Sequence, residues 1–185
     1  MKSIKNLRTD YHKSKLDVND LRESPITLFQ LWLSKAIAYS NDANAFVLST
    51  VNSKGAPSSR VLLLRDVSEK GFSFFTNYNS RKSQEIEVNP NVCMNFFWPD
   101  MERQVRIKGL IIRLSEQDSD DYFKSRPYES RIGAWSSPQS QVIKSREVLE
   151  KKIKELKKKY PNEVPRPENW GGYFIIPNEI EFWQG

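Results

Sequence analysis

The run RQVRIKGLIIRL at residues 103–114 limits the fold more than any other segment. Val105, Ile107 and Ile111 fall on one side of an extended chain and Gln104, Arg106 and Lys108 on the other, the period of two that marks a half-buried β-strand. Shorter apolar runs bounded by turn residues surround it: AFVLSTV at Ala45–Val51, RVLLLRD at 60–66, GFSFFTN at Gly71–Asn77 and VCMNFFW before Pro99. The first two, joined by the turn-rich NSKGAPS, read as a pair of buried strands, and the VSEKG linker before the third suits a hairpin. GGYFIIP and EIEFWQG at 171–185 read as a closing strand pair.

Helices are predicted over 25–40, after a Ser24-Pro25 start, and over 80–89, with Ser80 as the cap and Pro90 as the stop. Two more are predicted over 116–124 and 139–160, the last followed by the Pro-rich connector PNEVPRPEN. Strands do not alternate regularly with crossover helices, so the pattern favours a mainly β fold, an antiparallel barrel with helices around it, over a doubly wound nucleotide fold. Residues 1–24 read as an N-terminal arm and 25–185 as a single domain. None of the seven glycines builds a G-x-G-x-x-G or G-x-x-x-x-G-K-[ST] loop, so any phosphate has to be gripped by side chains.

Several chemistries are excluded at this stage. Cys93 and His12 are the only cysteine and histidine, which rules out a disulfide framework, a Cys/His metal site within one chain and a Ser-His-Asp triad, so no metal is expected. No signal-peptide core and no membrane-length apolar run is present, and the expectation is a cytoplasmic protein without a membrane partner. The net charge of +6 favours anionic partners, whether nucleic acid, lipid or phosphate ester. The basic run EVLEKKIKELKKKYP points toward nucleic acid, but Leu149, Ile153 and Leu156 form an apolar stripe in it and the lysines read as a solvated outer face, so no nucleic-acid partner is expected.

An anion site is legible in three places. Arg60 and Arg65 flank the VLLL run, Thr76 ends the third strand, and Ser80-Arg81-Lys82 open the next helix, where backbone N–H groups and cations can converge. Arginines at strand ends ordinarily face water, so this reading needs more than their presence.

RVLLLRD, FFTNYNSRKSQEI, ERQVRIKG, SRPYESRIGAWSSPQS and WGGYFIIPNEIEFWQG, in this order and spacing, with LRTDYHKSKL and PITLFQLWL before them, closely resemble the pyridoxamine 5'-phosphate oxidase family over nearly the whole chain. The resemblance implies an FMN-binding split β-barrel that forms a homodimer, with FMN in clefts built from both subunits. It places FMN contacts on Arg60, Val61, Leu62, Leu63, Leu64 and Arg65, on Phe75 and Thr76, on Arg81 and Lys82, on Gln104, on Gln139 and Ser140, and on Trp183. Arg60, Arg81, Lys82 and Ser140 suit the phosphate, and Gln104 and Gln139 a flavin ring or ribityl chain. Substrate contacts fall on Arg8, Tyr11, Arg65, Tyr122, Arg126 and Ser130; the spacing of the last three suits one side of a helix and its continuation. No side chain is assigned a catalytic role.

The implied reaction is oxidation of pyridoxamine or pyridoxine 5'-phosphate to pyridoxal 5'-phosphate by dioxygen, giving hydrogen peroxide and, from the amine, ammonia. The sequence departs from the family in two places. Arg65 stands where the family typically has lysine, and the family's Arg-Leu-His-Asp-Arg run beyond Gln184-Gly185 lies outside this sequence. The second departure keeps a rival open, a split-barrel protein that binds FMN or a vitamer phosphate without turnover.

Overall fold

The computed structural model describes residues 3–8 and 10–185. Seven strands form one antiparallel sheet curled into a half-barrel: β1 (Ala45–Val51), β2 (Pro57–Leu63), β3 (Asp66–Ser68), β4 (Gly71–Asn77), β5 (Asn91–Trp98), β6 (Arg103–Arg113) and β7 (Trp170–Gln184), in the order β2-β1-β5-β6-β7-β4-β3. The strand expected from the alternation is β6, with Val105 and Ile107 fully buried.

Helix α1 (Pro25–Ile37) closes the concave side. Ser24 accepts a hydrogen bond from the Ile26 N–H at 3.2 Å and Pro25 occupies the first turn, which needs no amide donor there. Its buried face of Ile26, Leu28, Phe29, Trp32 and Ala36 follows the helical repeat. Phe29 meets Phe72 and Phe96 edge to face, each at 5.0 Å between ring centres. Burial of each large side chain of this kind contributes about 1.5–3 kcal/mol.

The second strand departs from the expectation of a buried run. It begins at Pro57 and ends at Leu63, leaving Arg65 beyond it, and it is an edge strand with Val61 66% and Leu63 40% exposed. One face of an edge strand alternates outward, so VLLL is half core and half surface. Leu64 is buried in the core at 4% exposure, and Leu62 packs partly buried against it. The strand after it, β3, forms a hairpin with β4 through Glu69 and Lys70.

The closing strand pair is one continuous strand. Trp170–Ile175 of β7 pair with β4 and Tyr173–Gln184 with β6. The chain runs straight through Pro177-Asn178 between the two expected segments, because the irregularity between Lys108 and Gly109 absorbs the extra residue, with Gly109 opposite Pro177 and Lys108 opposite Glu179. Gly109 is required there, because a Cβ would lie 2.2 Å from the Ile176 carbonyl oxygen.

Helix α2 (Arg81–Val88) stands as expected, though the Ser80 side chain caps no amide. Helix α3 (Glu116–Ser125) also stands as expected, whereas α4 (Tyr128–Ser136) was not predicted and α5 (Arg146–Lys159) is shorter than expected. The helix predicted over 139–160 starts at Arg146, because Pro138 and a left-handed Ser140 (φ 65°) hold the preceding segment in loops. Pro127 breaks what would be one helix into α3 and α4, so Tyr122, Arg126 and Ser130 do not share a helix face. Phe123, Ile132, Leu156, Val164 and Trp170 form a second core under these helices. No helix among the described residues is long and apolar enough to cross a membrane.

Candidate functional site

Between the two cores lies a cavity of about 380 Å³. Its lining brings together Leu62 and Arg65 from the β2 edge, Phe75 and Thr76 from β4, Tyr122 from α3, Arg126 at the helix break, Ser130 from α4 and Gln139 from the loop beyond. Five lining residues lie within the motifs quoted above but carry no site assignment from the sequence: Asn77, Gly133, Ala134, Ser137 and Trp170. Ser130, Gly133, Ala134 and Ser137 follow the helical repeat, so the break at Pro127 turns a face of small residues toward the cavity. The Phe75, Tyr122 and Trp170 rings lie nearly parallel, with Phe75 3.9 Å from Tyr122 and 5.5 Å from Trp170.

Lys82 dominates the electrostatics at one edge. It is 5% exposed, and its Nζ donates to Thr76 Oγ1 at 3.1 Å, Ser80 Oγ at 3.0 Å and Gln139 Oε1 at 3.3 Å, all neutral acceptors. No carboxylate pairs with it among the described residues. Burial, with Arg60 nearby, pushes its pKa down to about 8. A buried ammonium without a counter-ion is unfavourable on its own and favourable around an anion.

Arg60 and Arg81 stand beside it on a shared carboxylate. Glu85 Oε2 accepts from Arg60 Nη2 at 3.3 Å and from Thr50 and Ser58, while Oε1 accepts from Arg81 Nε at 2.9 Å. Burial alone raises the Glu85 pKa, but the hydrogen bonds from Ser58, Thr50 and Arg81 outweigh it and hold the carboxyl at about 2. Arg60, Arg81 and Lys82 minus Glu85 leave two positive charges, the match for a phosphate monoester dianion. Glu85 went unnoticed in the sequence, although its i,i+4 spacing from Arg81 was readable.

The opposite wall holds Arg65 and Arg126. Neither pairs with a carboxylate among the described residues, and Arg126 Nη1 is buried without a hydrogen-bond partner. Burial lowers the Arg126 pKa and Arg65 lowers it further, while Tyr122 opposes both. The lining contains no histidine and no carboxylate. It therefore offers binding groups for anions and a flat ring, but no ordinary acid-base pair.

The remaining expected residues lie elsewhere. Val61 and Leu63 face outward, Leu64 lies in the core, Ser140 is exposed and Arg8 is exposed in the arm. Gln104 pairs with Trp183 across β6 and β7, and Tyr11 packs edge to face on Trp183 at 5.3 Å. The arm is tied there by Glu102, whose Oε2 accepts the His12 and Lys13 amides at 2.9 Å each. Trp170 and Trp183 stand at opposite ends of β7, a contour of roughly 40 Å at about 3.3 Å per residue. Within one chain, the expected site therefore falls into two separated halves.

Residues 33–160 match the sequence pattern of a family described as pyridoxamine 5'-phosphate oxidase. A pyridoxine/pyridoxamine 5'-phosphate oxidase from Neisseria gonorrhoeae is 49% identical over 183 residues, which cover 98% of this chain and 87% of the relative. One from Haemophilus ducreyi is 50% identical with the same coverage. Among solved structures, PhzG from Burkholderia lata 383, in complex with tetrahydrophenazine-1-carboxylic acid, is similar with a TM-score of 0.86 at 30% identity, over 92% of this chain and 86% of PhzG. A pyridoxamine 5'-phosphate oxidase-related, FMN binding protein from Nostoc punctiforme PCC 73102 shares the fold, with a TM-score of 0.70 at 18% identity over 89% and 87% of the two chains.

Proposed function

The chain belongs to the pyridoxamine 5'-phosphate oxidase family, and from that premise we propose that it oxidises pyridoxamine and pyridoxine 5'-phosphates to pyridoxal 5'-phosphate. Dioxygen is the acceptor, and the products are hydrogen peroxide and, from the amine, ammonia. The observation that carries this reading is a cavity lined by Arg65 and Arg126, neither paired with a carboxylate among the described residues, with Lys82 buried directly behind its lining residues Thr76 and Gln139. That arrangement suits two phosphate-bearing molecules bound side by side.

In this reading Lys82, Arg60 and Arg81 hold the phosphate of FMN, and Phe75, Thr76 and Gln139 line its site. FMN supplies the two-electron acceptance and the reaction with dioxygen. The protein residues bind, orient and exclude water. Arg65, Arg126 and Ser130 grip the substrate phosphate, so that binding energy from a remote group fixes the reacting carbon. Tyr122, stacked on Phe75, forms the wall beside it.

We further propose a homodimer with shared sites. Gln104 and Trp183 lie too far from the cavity to serve the same flavin within one chain, and a second copy supplies them. The outer sheet face offers the surface, since Val61, Leu63, Phe97, Leu110, Ile112 and Ile176 are each at least 40% exposed. Two further readings belong to the same proposal, a cytoplasmic location and a single split-barrel domain over 25–185 preceded by the arm.

The test is aerobic formation of pyridoxal 5'-phosphate from pyridoxamine 5'-phosphate by the purified chain with excess FMN. Turnover is expected. Folded protein that binds FMN and forms no aldehyde would refute the oxidase reading and leave a binding protein.

A further inference from the structure

Arg126 is half-buried beside a like charge, Arg65, and pairs with no carboxylate among the described residues, so something other than an ion pair must hold its guanidinium. Its backbone is fixed as the end of α3, extended (ψ 147°) ahead of Pro127. Its Cζ lies 4.6 Å from the centre of the Trp170 ring and 5.7 Å from that of Phe123. A guanidinium over an indole face is attracted by the ring quadrupole and spends none of its five N–H donors there, which leaves the forked edge free for a phosphate.

Trp170 is itself immobilised. It is 6% exposed, parallel to Phe75 within 13° and to Tyr122 within 4°, and edge-on to Phe123 at 5.0 Å. Its amide donates to the Pro167 carbonyl at 3.0 Å, and its carbonyl accepts from Arg166 Nη1 at 2.7 Å. Arg166 is held in turn by Asp120 at 2.6 Å. The ring is thus a fixed platform on which the guanidinium rests.

We propose that Trp170 is a positioning residue for the substrate phosphate: its indole face holds Arg126 at the cavity wall and thereby sets the preference for phosphorylated over phosphate-free ligands. The proposal rests on the reading of Arg126 as the substrate-phosphate grip, and Arg126→Ala is the control for that reading.

The experiment uses FMN-loaded protein and measures two quantities for the parent, Trp170→Leu, Trp170→Phe and Arg126→Ala. One is the KM and kcat for pyridoxamine 5'-phosphate. The other is the pair of dissociation constants for pyridoxal 5'-phosphate and pyridoxal, read from flavin fluorescence. Trp170→Leu is expected to raise the phosphorylated ligand's constants about 3- to 30-fold, the equivalent of one cation–π contact. Pyridoxal binding should change by a smaller factor than pyridoxal 5'-phosphate binding, and Trp170→Phe, which keeps a weaker ring face, should fall between the parent and Trp170→Leu. Should Trp170→Leu fail to fold, Trp170→Phe carries the test with a two- to fourfold loss of the same preference. Equal losses for both ligands, or no loss in either ring variant while Arg126→Ala abolishes the preference, overturn the role of Trp170. No loss of preference in Arg126→Ala overturns the underlying phosphate grip, and the proposal with it.

Discussion

Replacing Lys82 by Met should make the flavin-free protein more stable and the flavin complex weaker. In the flavin-free protein Lys82 has only neutral acceptors, and its pKa stands at about 8 against an ordinary 10.5. Each pH unit of that difference corresponds to about 1.4 kcal/mol, so keeping the ammonium charged at pH 7 disfavours the folded state by roughly 3 kcal/mol. Methionine fills similar space without the charge. The stranded acceptors have alternatives, since Thr76 also donates to Gln139 at 3.2 Å and Ser80 pairs with Ser83 at 3.2 Å. Allowing about 1 kcal/mol for the lost hydrogen bonds leaves a gain of about 1–3 kcal/mol, or a Tm rise of roughly 3–10 °C at this chain length.

The sign with pH follows from the lowered pKa. Between about 8 and 10.5 the unfolded chain binds more protons at this site than the folded one, so the parent gains stability through that window. The advantage of the variant should therefore shrink above pH 8 and vanish near 10.5. FMN affinity should fall roughly 30- to 150-fold, the effect of removing one partner from a buried charge-assisted contact worth about 2–3 kcal/mol. Thermal melts of flavin-free parent and variant across pH 7–10.5, with a fluorescence titration of FMN, check both halves. A variant less stable than the parent at pH 7, or one binding FMN within threefold of it, would refute the anion-hole reading.

Arg126→Ala is expected to raise the KM for pyridoxamine 5'-phosphate at least tenfold with a smaller change in kcat, read from steady-state kinetics; an unchanged kcat/KM removes Arg126 from the substrate grip. Glu85, held at about 2 against an ordinary 4.5, adds stability above pH 4.5 that is lost as pH falls toward 2, so Glu85→Gln should be less stable than the parent at pH 6 by roughly 1–3 kcal/mol, with the gap closing in acid. Denaturant melts at several pH values test this, and a gap constant down to pH 2 contradicts it. A shared site predicts that mixing inactive Lys82→Met and Trp183→Ala chains after unfolding and refolding restores up to about a quarter of the activity, because half of the dimers formed are mixed and each holds one unaltered site; no recovery from a proven mixed dimer rules out sharing. Gly172→Ala places a methyl group 2.5 Å from Leu114 and 2.8 Å from Phe75, and a loss of about 1–3 kcal/mol from overpacking is expected in a thermal melt.

The strands β1, β4, β5 and β6 and the helix α1 were legible because their signals are local: a period of two or of 3.6, a serine cap and proline stops. The family was legible for a related reason, since its motifs are contiguous residue strings that need no third dimension. Tertiary structure decided what depends on neighbours. Whether VLLL is buried depends on β2 lying at a sheet edge, and whether Pro177 turns the chain depends on a partner strand that can bulge at Gly109. The same holds for the site. The charges of Arg60, Arg81 and Lys82 were visible in the sequence, but the carboxylate that organises two of them, and the absence of one beside Lys82, follow from packing. Trp170 opens a legible motif, but its role is not readable there, because it comes from Phe75, Tyr122 and Arg126, residues 44 or more positions away in the chain that only the fold brings to the ring.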